Sequence, residues 1–391
     1  MKRPRSPWVL AAVFALPAAA QIPLSYADIL ARARPTTEQY RLESRLADLQ
    51  MQLQDTRGFL REGPTVSVEG AARRPSGLPA YTDKAAEIEF PLFLAPRVRG
   101  DLEASLGQAH PLLAESTRRE AALRVKFGYL EAWLAQRTLA LREADLATVE
   151  RWLSVTRGRA RDGKEPAYQV DLVEGDRLKA QQDLDEARTR MAQAWAALVA
   201  LADVPSTPVP VADPGPVQPI PEENIQDRLR QGPLRRALEA QMELEVRSLR
   251  LREAQARARW SLRASYGTEA EDHITRLGVA VRLSRPGEDA TLKRSTETQI
   301  RVAQGEYRQA LAELDARILG VCYRFQKASR VTPVPDFAKA LDTVEARLES
   351  GQDQPSEAFP IRRQLLEAQM AALKRIQARH ALTAEIQYLL P

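Results

Sequence analysis

Few side chains in this sequence could do chemistry, and they do not stand together. The three histidines, His110, His273 and His380, fall in three separate segments with no partner at metal-ligand spacing. Cys322 is the single cysteine, which excludes an intrachain disulfide and a Cys-x-x-Cys redox or zinc pair. There is no phosphate-cradling glycine loop and no Gly-x-Ser-x-Gly nucleophile turn. The five methionines form no cluster, which opposes a periplasmic metal-binding protein. These features argue against an enzyme and imply no cofactor and no metal. What remains is charge. It gathers in two turns, Arg161-Asp162-Gly163-Lys164-Glu165-Pro166 and Ser350-Gly351-Gln352-Asp353-Gln354-Pro355, and it alternates with apolar residues in four short stretches.

The elements that hold those charges are written twice. Each copy opens on a short apolar helix stopped by a proline, Tyr26 to Arg34 before Pro35 and Ile225 to Gly232 before Pro233. A charged helix follows, about 36 to 58 or 234 to 258, with a thin seam such as Ala237, Leu244, Leu251 and Ala258. Ser25 with Asp28, and Asn224 with Asp227, read as the capping pairs that open the two copies. Two alternating stretches come next, then a long helix, a turn bearing Gly and Pro, and a return helix. At the offset that separates Gly163 from Gly351, Leu178, Ala180 and Gln181 meet Leu366, Ala368 and Gln369. Internal repetition of this kind constrains a fold more than any single residue does.

The alternating stretches read as two β-hairpins, about 64–93 and 260–284. Val66 and Val68 alternate with Ser67 and Glu69, and Ile88, Phe90 and Leu92 with Glu87 and Glu89. Leu262, Ala264 and Tyr266 alternate with Ser261, Arg263 and Ser265, and Leu277, Val279 and Val281 with Arg276, Gly278 and Ala280. Each strand therefore has one apolar and one polar face, over about the nine to eleven residues that a tilted strand needs to cross a bilayer. The long helices are expected over about 97–161 and 287–349, the second broken near 332–335 by Thr332-Pro333-Val334-Pro335. At 1.5 Å per residue each would span roughly 100 Å. Their seams step by three and four through 102, 106, 109, 113, then 123, 127, 130, 134, then 141, 144, 148. The return helices, about 166–203 and 356–390, carry seams through Val173, Arg177, Ala180, Leu184, Ala187, Met191, Ala194, Leu198 and Leu201, and through Leu366, Leu373 and Ile386. Between the copies (21–203 and 222–391), residues 204–221 hold seven prolines and form a stiff extended linker.

Composition agrees with long thin helices rather than a wide core. Apolar residues make up 44% of the 391, but aromatics only 6%, while 28% are charged. Residues 1–20 read as a signal peptide, with Lys2, Arg3 and Arg5, an apolar run Trp8 to Leu16, and Ala18-Ala19-Ala20 before Gln21. The formal charge of +5 includes three positive charges in that leader, so the basic balance makes no case for nucleic acid. No later stretch is apolar enough for a transmembrane helix, so any membrane-spanning part has to be β-strand.

In this order and spacing, met twice, the motifs resemble the TolC-type outer-membrane efflux proteins, or outer membrane factors. The residues that carry the resemblance are Leu24-Ser25-Tyr26-Ala27-Asp28-Ile29-Leu30 with Pro35, Phe90-Pro91-Leu92-Phe93 ahead of Arg97, and Gly163 ahead of Val170-Asp171-Leu172. The resemblance implies a mainly α fold with a small β part. Three subunits would form a trimeric 12-stranded β-barrel, continued by a periplasmic α-helical coiled-coil barrel with the Pro-rich linker at its equatorial waist. It implies that Glu87, Glu89, Arg263, Arg276 and Arg282 face a wet lumen, and that Ile88, Phe90, Val279 and Val281 face outer-membrane lipid. It implies that Arg161, Asp162, Gly163, Lys164, Glu165, Gly351, Asp353 and Glu357 form the periplasmic tip. There Asp353 and Glu357 would line the constriction, and Arg161, Asp162 and Lys164 would hold it shut.

The implied function is a passive exit channel of a tripartite efflux or type I secretion system. It would work as a homotrimer in the outer membrane of a Gram-negative bacterium, with a periplasmic adaptor (membrane fusion) protein and an inner-membrane pump. The substrate is left open. The chain departs from the family in its Pro333 and Pro335, in its shorter length, and in strands whose only girdle aromatics are Phe59, Tyr81, Trp260 and Tyr266. The competing reading is a soluble periplasmic coiled-coil adaptor or scaffold with its hairpins in a small soluble sheet.

Overall fold

The computed structural model describes residues 23–55, 65–73, 81–92, 96–217, 225–257, 260–269, 272–281, 287–329 and 337–391. The first series of elements is α1 (Tyr26–Ala31), α2 (Thr37–Asp55), β1 (Thr65–Arg73), β2 (Tyr81–Leu92), α3 (Pro96–Arg161) and α4 (Ala167–Leu201). The second is α5 (Ile225–Arg230), α6 (Pro233–Arg257), β3 (Trp260–Glu269), β4 (Asp272–Val281), α7 (Glu288–Ser329), α8 (Phe337–Ser350) and α9 (Pro355–Leu389). The chain is mainly α with a small antiparallel sheet. The leader at 1–20, Phe59, Asn224, Ala258, Arg282, the break at Pro333 and Pro335, and the distal end of the linker lie outside the described residues.

Local chemistry accounts for where the helices begin. Ser25 Oγ accepts the Asp28 N–H at 3.2 Å while Asp28 Oδ2 accepts the Ser25 N–H at 3.0 Å, so α1 opens on a full capping box. The Ser25 hydroxyl, which donates to the same Asp28 oxygen at 2.6 Å, and then the Ser25 N–H hold the Asp28 carboxyl below its usual range. Thr36 and Gln39 repeat the device just after Pro35: the Thr36 N–H donates to Gln39 Oε1 at 2.7 Å, and the Gln39 N–H to Thr36 Oγ1 at 3.3 Å. The proline stops one helix and the box starts the next.

The chain divides into two units. One comprises Pro35–Leu123, Pro219–Val331 and Leu382–Pro391. It contains the whole sheet, an antiparallel run in the order β1-β2-β3-β4, with the two hairpins joined by pairing of β2 with β3. The register puts Val66 opposite Ile88, Ile88 opposite Ala264 and Ala264 opposite Leu277, and aligns Phe90, Leu262 and Val279. Directly opposed residues share a face, so the apolar positions of all four strands fall on one side. In the same unit α2, α3 and α6 bury Leu46 and Leu49, Leu102, Leu106, Ala109 and Leu113, and Ala237, Leu244 and Leu251 against one another. These are the seam positions expected for α6 and for the first part of α3.

The other unit takes in the chain up to Arg34, Arg124–Gln218 and Thr332–Ala381. One core centres on Tyr129, Trp133, Met191, Trp195 and Leu198, closed by α1 and by the connector that follows α4. Short backbone bridges stitch the connector down: Leu24 N–H donates to the Pro210 carbonyl at 2.9 Å and Ala212 N–H to the Leu24 carbonyl at 3.0 Å. The Arg34 N–H donates to Leu201 at 2.9 Å and the Asp203 N–H to Arg32 at 2.8 Å.

The expected seams need correction in this unit. In α3 Leu130 and Thr148 are buried as expected, but Ala144 is exposed and Phe127 and Leu134 are only half-buried, while Val125, Tyr129, Trp133, Asp145, Val149 and Trp152 are buried outside the expected seam. In α4 the buried residue is Asp176 rather than Arg177, and Trp195 rather than Ala194. An apolar periodicity cannot place a carboxylate inside, and here the partner that compensates it comes from α9.

Candidate functional site

The two charged turns are built alike. After α3 the Gly163 N–H donates to Ala160 at 3.1 Å and the Lys164 N–H to Arg159 at 2.9 Å; after α8 the Gly351 N–H donates to Leu348 at 3.1 Å and the Gln352 N–H to Arg347 at 2.9 Å. This is the Schellman closure, which needs a left-handed residue, and φ is +68° at Gly163 and +77° at Gly351. Pro166 and Pro355 then start α4 and α9.

Within the first turn Lys164 pairs with Asp162 at 3.3 Å, both exposed. Within the second, Arg347 reaches Asp353 at 2.8 Å. Arg161 and Glu357 point to solvent. The side chain that joins the two turns is one that the sequence reading missed: Arg159. It pairs with Glu165 at 3.1 Å, and its guanidinium lies so close to Gly351 that a Cβ there would be 2.7 Å from Nη2. Glycine at 351 therefore answers two needs, a positive φ and room for Arg159.

Beneath the turns lies a second core with charge inside it. Trp152 stacks on Phe359 at 5.2 Å between ring centroids, amid Val149, Leu153, Val173, Leu348 and Ala358. The Arg362 guanidinium, 3% exposed, sits 5.5 Å from the Trp152 ring and pairs with Asp145 of α3. Asp176 of α4 pairs with Arg363 and lies 3.6 Å from Arg362 Nη2, close enough for an ion pair but too far for a hydrogen bond. Arg142 adds Asp183 at 3.0 Å, and Glu345 of α8 takes Thr148 at 3.0 Å and Arg151 at 3.1 Å.

Burial dominates the electrostatics here. It pushes the Asp145 carboxyl up in spite of Arg362 and Arg142, and pushes Arg362 down in spite of Asp145. Trp152 Nε1, Gln169 Oε1, Asp176 Oδ2 and Arg362 Nε are buried without a hydrogen-bond partner. This seam is not legible in the sequence, because its Asp and Arg residues read like the solvated flanks of any charged helix.

The sheet supplies the other candidate surface. Glu89, Arg263 and Gly278 form one cross-strand row, and Ser67, Glu87, Ser265 and Arg276 the next, so the charged residues share the face opposite the apolar one. Arg263 bridges Glu87 at 3.3 Å and Glu89 at 3.2 Å, and Ser261 donates to Glu89. The apolar face is bare: Val68 and Leu277 are each 77% exposed. Among the described residues no helix is long and apolar enough to cross a membrane.

Comparison with known proteins follows the same lines. Residues 79–203 match the family described as outer membrane efflux protein. No curated protein sequence matches the chain. Among solved structures, the fold is similar to the CmeC outer membrane channel of Campylobacter jejuni (TM-score 0.70, 11% identity, 93% of this chain and 84% of that one). It is also similar to the outer membrane protein VceC of Vibrio cholerae (TM-score 0.69, 14% identity, 93% and 94%). A membrane protein from Pseudomonas aeruginosa aligns as well (TM-score 0.66, 18% identity, 93% and 91%). Residues 79–203 are thus similar to the outer membrane efflux protein family, and the chain as a whole has the fold of the outer membrane channels it aligns with.

Proposed function

We propose that this chain is one subunit of a passive outer-membrane exit duct. The observation that carries the reading is the sheet: four strands, charged on one face and apolar on the other, with apolar side chains such as Val68, Leu277 and Val279 exposed. A bare apolar face of this size suits lipid and not water. Only a closed barrel removes the edges that lipid cannot satisfy, and four strands are too few to close one. Three copies would give twelve. The charged rows of Glu87, Glu89, Arg263 and Arg276 would then line a wet lumen, and Ile88, Phe90, Val279 and Val281 would meet lipid.

The helices would continue the duct into the periplasm, where an adaptor protein and an inner-membrane pump would complete the path for either efflux or secretion. A conduit takes its specificity from the pump, so drugs, metal ions and polypeptides all fit. Fractionation and native mass measurement test the reading. The expected outcome is a detergent-solubilised trimer from the outer membrane; a soluble periplasmic monomer would overturn it in favour of a coiled-coil scaffold.

The gate would lie at the two turns, with Asp353 and Glu357 at the constriction and Arg161, Asp162, Lys164 and Glu165 around it. Threefold symmetry would triple each charge into a ring, and rings of like charge select ions. Arg159 belongs with this group, since it alone reaches from the first turn to the second among the described contacts. Single-channel recording of the Asp353→Ala, Glu357→Ala double variant should show altered conductance and selectivity; unchanged values would remove these two residues from the gate.

A further inference from the structure

One row of the sheet departs from the apolar face to which it belongs. The helices join the strands at the end that holds Leu92, Trp260 and Val281, where α3 follows β2 and α6 precedes β3. From that end the face stays apolar through the row of Val66, Ile88, Ala264 and Leu277, and the row after it is Val68, Ala86, Tyr266 and Thr275. Beyond that stand Gly70, Lys84, Thr268 and His273, opposed across all four strands. Lys84 and His273 are exposed, with the half-buried Thr268 between them. Tyr266 is the diagonal neighbour of His273: their rings stack at 5.9 Å between centroids, and the tyrosine hydroxyl lies 3.0 Å from Nδ1. Carboxylates at this end of the strands, such as Glu69 and Asp272, fall in rows of the opposite face. The apolar face therefore ends on a basic margin.

We propose that Lys84, Thr268 and His273 form a site for the phosphate of an anionic lipid headgroup, at the end of the sheet away from the helices. The site rests on the reading of this sheet as part of a membrane barrel. In such a barrel a residue just past the apolar band lies at headgroup depth. Trp260 and Tyr266, both exposed, mark the two ends of that band, where aromatic rings favour the interface. Neighbouring strands lie about 4.8 Å apart, so the Lys84 and His273 backbones are separated by about 10 Å. The flexible lysine stem reaches across that gap and brings its ammonium to the charge. With the Tyr266 hydroxyl donating to Nδ1, the imidazole proton sits on Nε2 and is offered to a phosphate oxygen, and the Thr268 hydroxyl adds a donor between the two. Free phosphate would meet the same donors and nothing more. A lipid also meets the exposed Val68 and Leu277 along its tails, which is why the site is assigned to a headgroup.

Native mass spectrometry of the full chain in detergent, mixed with phosphatidylglycerol or with phosphatidylcholine, tests the site. The native protein should retain phosphatidylglycerol in preference to phosphatidylcholine, whose choline cancels the phosphate charge, and added inorganic phosphate should not displace it. Lys84→Gln should weaken that preference about fivefold, and His273→Leu by less. Lys293→Gln, which removes an equal charge from α7, should leave it unchanged. Equal retention of the two lipids, displacement by inorganic phosphate, an undiminished preference in either site variant, or the same loss in Lys293→Gln overturns the proposal. Should one site variant fail to fold, the other carries the test. The duct reading fails differently: a trimer without the lipid preference overturns the site alone, whereas a monomer overturns the duct and the site with it.

Discussion

Three tryptophans occupy the cores of one unit, and they do not live alike. Trp133 Nε1 donates to Asp213 at 2.8 Å and Trp195 Nε1 to the Pro205 carbonyl at 2.9 Å, both on the connector, while Trp152 Nε1, under the charged turns, has no partner. The contrast extends to everything around them. Near Trp133 and Trp195 the polar groups of the connector are met by aromatic donors, by Gln136 Oε1, which accepts the Val211 N–H at 2.9 Å, and by backbone bridges. Around Trp152 a guanidinium and two carboxylates are buried with hydrogen-bonding capacity left over. Satisfied polar networks rigidify, whereas a buried charged seam adds little net stability and instead dictates which helices fit together. The first core is suited to holding the connector fixed; the second is suited to the gate proposed at the two turns.

Breaking the seam by one half should have the largest effect. Asp145→Ala leaves Arg362 buried beside Trp152 with its main partner gone, and should weaken the docking of α9 by about 3–5 kcal/mol, read as lost hydrogen-exchange protection over 337–366. Replacing both charges, Asp145→Leu with Arg362→Met, should restore or exceed native protection in that segment while altering the opening of the proposed duct in single-channel recordings. Native opening in that double variant would show that the charges do not govern the joint.

A smaller effect separates the tryptophans. Trp133→Phe takes one donor from Asp213, which keeps Arg137, whereas Trp152→Phe removes a donor that had no acceptor. Thermal melts should therefore show the first variant less stable by about 1 kcal/mol, after the similar loss of ring size at both sites. The two turns give a further comparison. Gly163→Ala meets open space and should cost only the left-handed backbone, about 1 kcal/mol, but Gly351→Ala also displaces Arg159 from its place and should cost measurably more in the same melts.

Acid gives the smallest and most selective test. Asp213 has a lowered pKa, first through its hydrogen bond from Arg137, so its contribution is present above the ordinary carboxylate value and fades below it. Asp145 has a raised pKa, so protonation relieves its core instead, and stability there is lost as pH rises through the raised value. Below about pH 4, exchange should accelerate in residues 204–217 before it does in 142–153.

Much of the fold was legible in the chain because its cues are local. Ser25 and Asp28 announce a helix start within four residues, and Gly163 and Gly351 announce turns that only a left-handed residue can close. Strand alternation at Ile88 and Phe90, or at Leu277 and Val279, gives the faces without knowledge of the neighbours. The site was less legible. Arg161, Asp162, Lys164, Asp353 and Glu357 were picked because they are charged and sit in turns, yet Arg159, still inside α3, is the side chain that spans from one turn to the other. Its partner surface is a glycine backbone from the other repeat, which leaves no chemical signature in a sequence. Asp145 and Asp176 were passed over for Ala144 and Arg177 because periodicity weighs hydrophobicity and cannot see a compensating guanidinium that arrives from α9.

By itself, then, the sequence determined the order and length of the elements, the two proline-stopped starts, the two glycine turns and the two-faced strands. Each of these follows from φ and ψ preferences and side-chain periodicity over a few residues. The tertiary structure alone decided that β2 pairs with β3 to make one sheet from two repeats, that Arg362 is buried between Asp145 and Trp152, and that Arg159 lies against Gly351. Burial and pairing depend on groups far apart in the chain. Whether a charge lies in water or in a core is settled only when its partner's helix is in place.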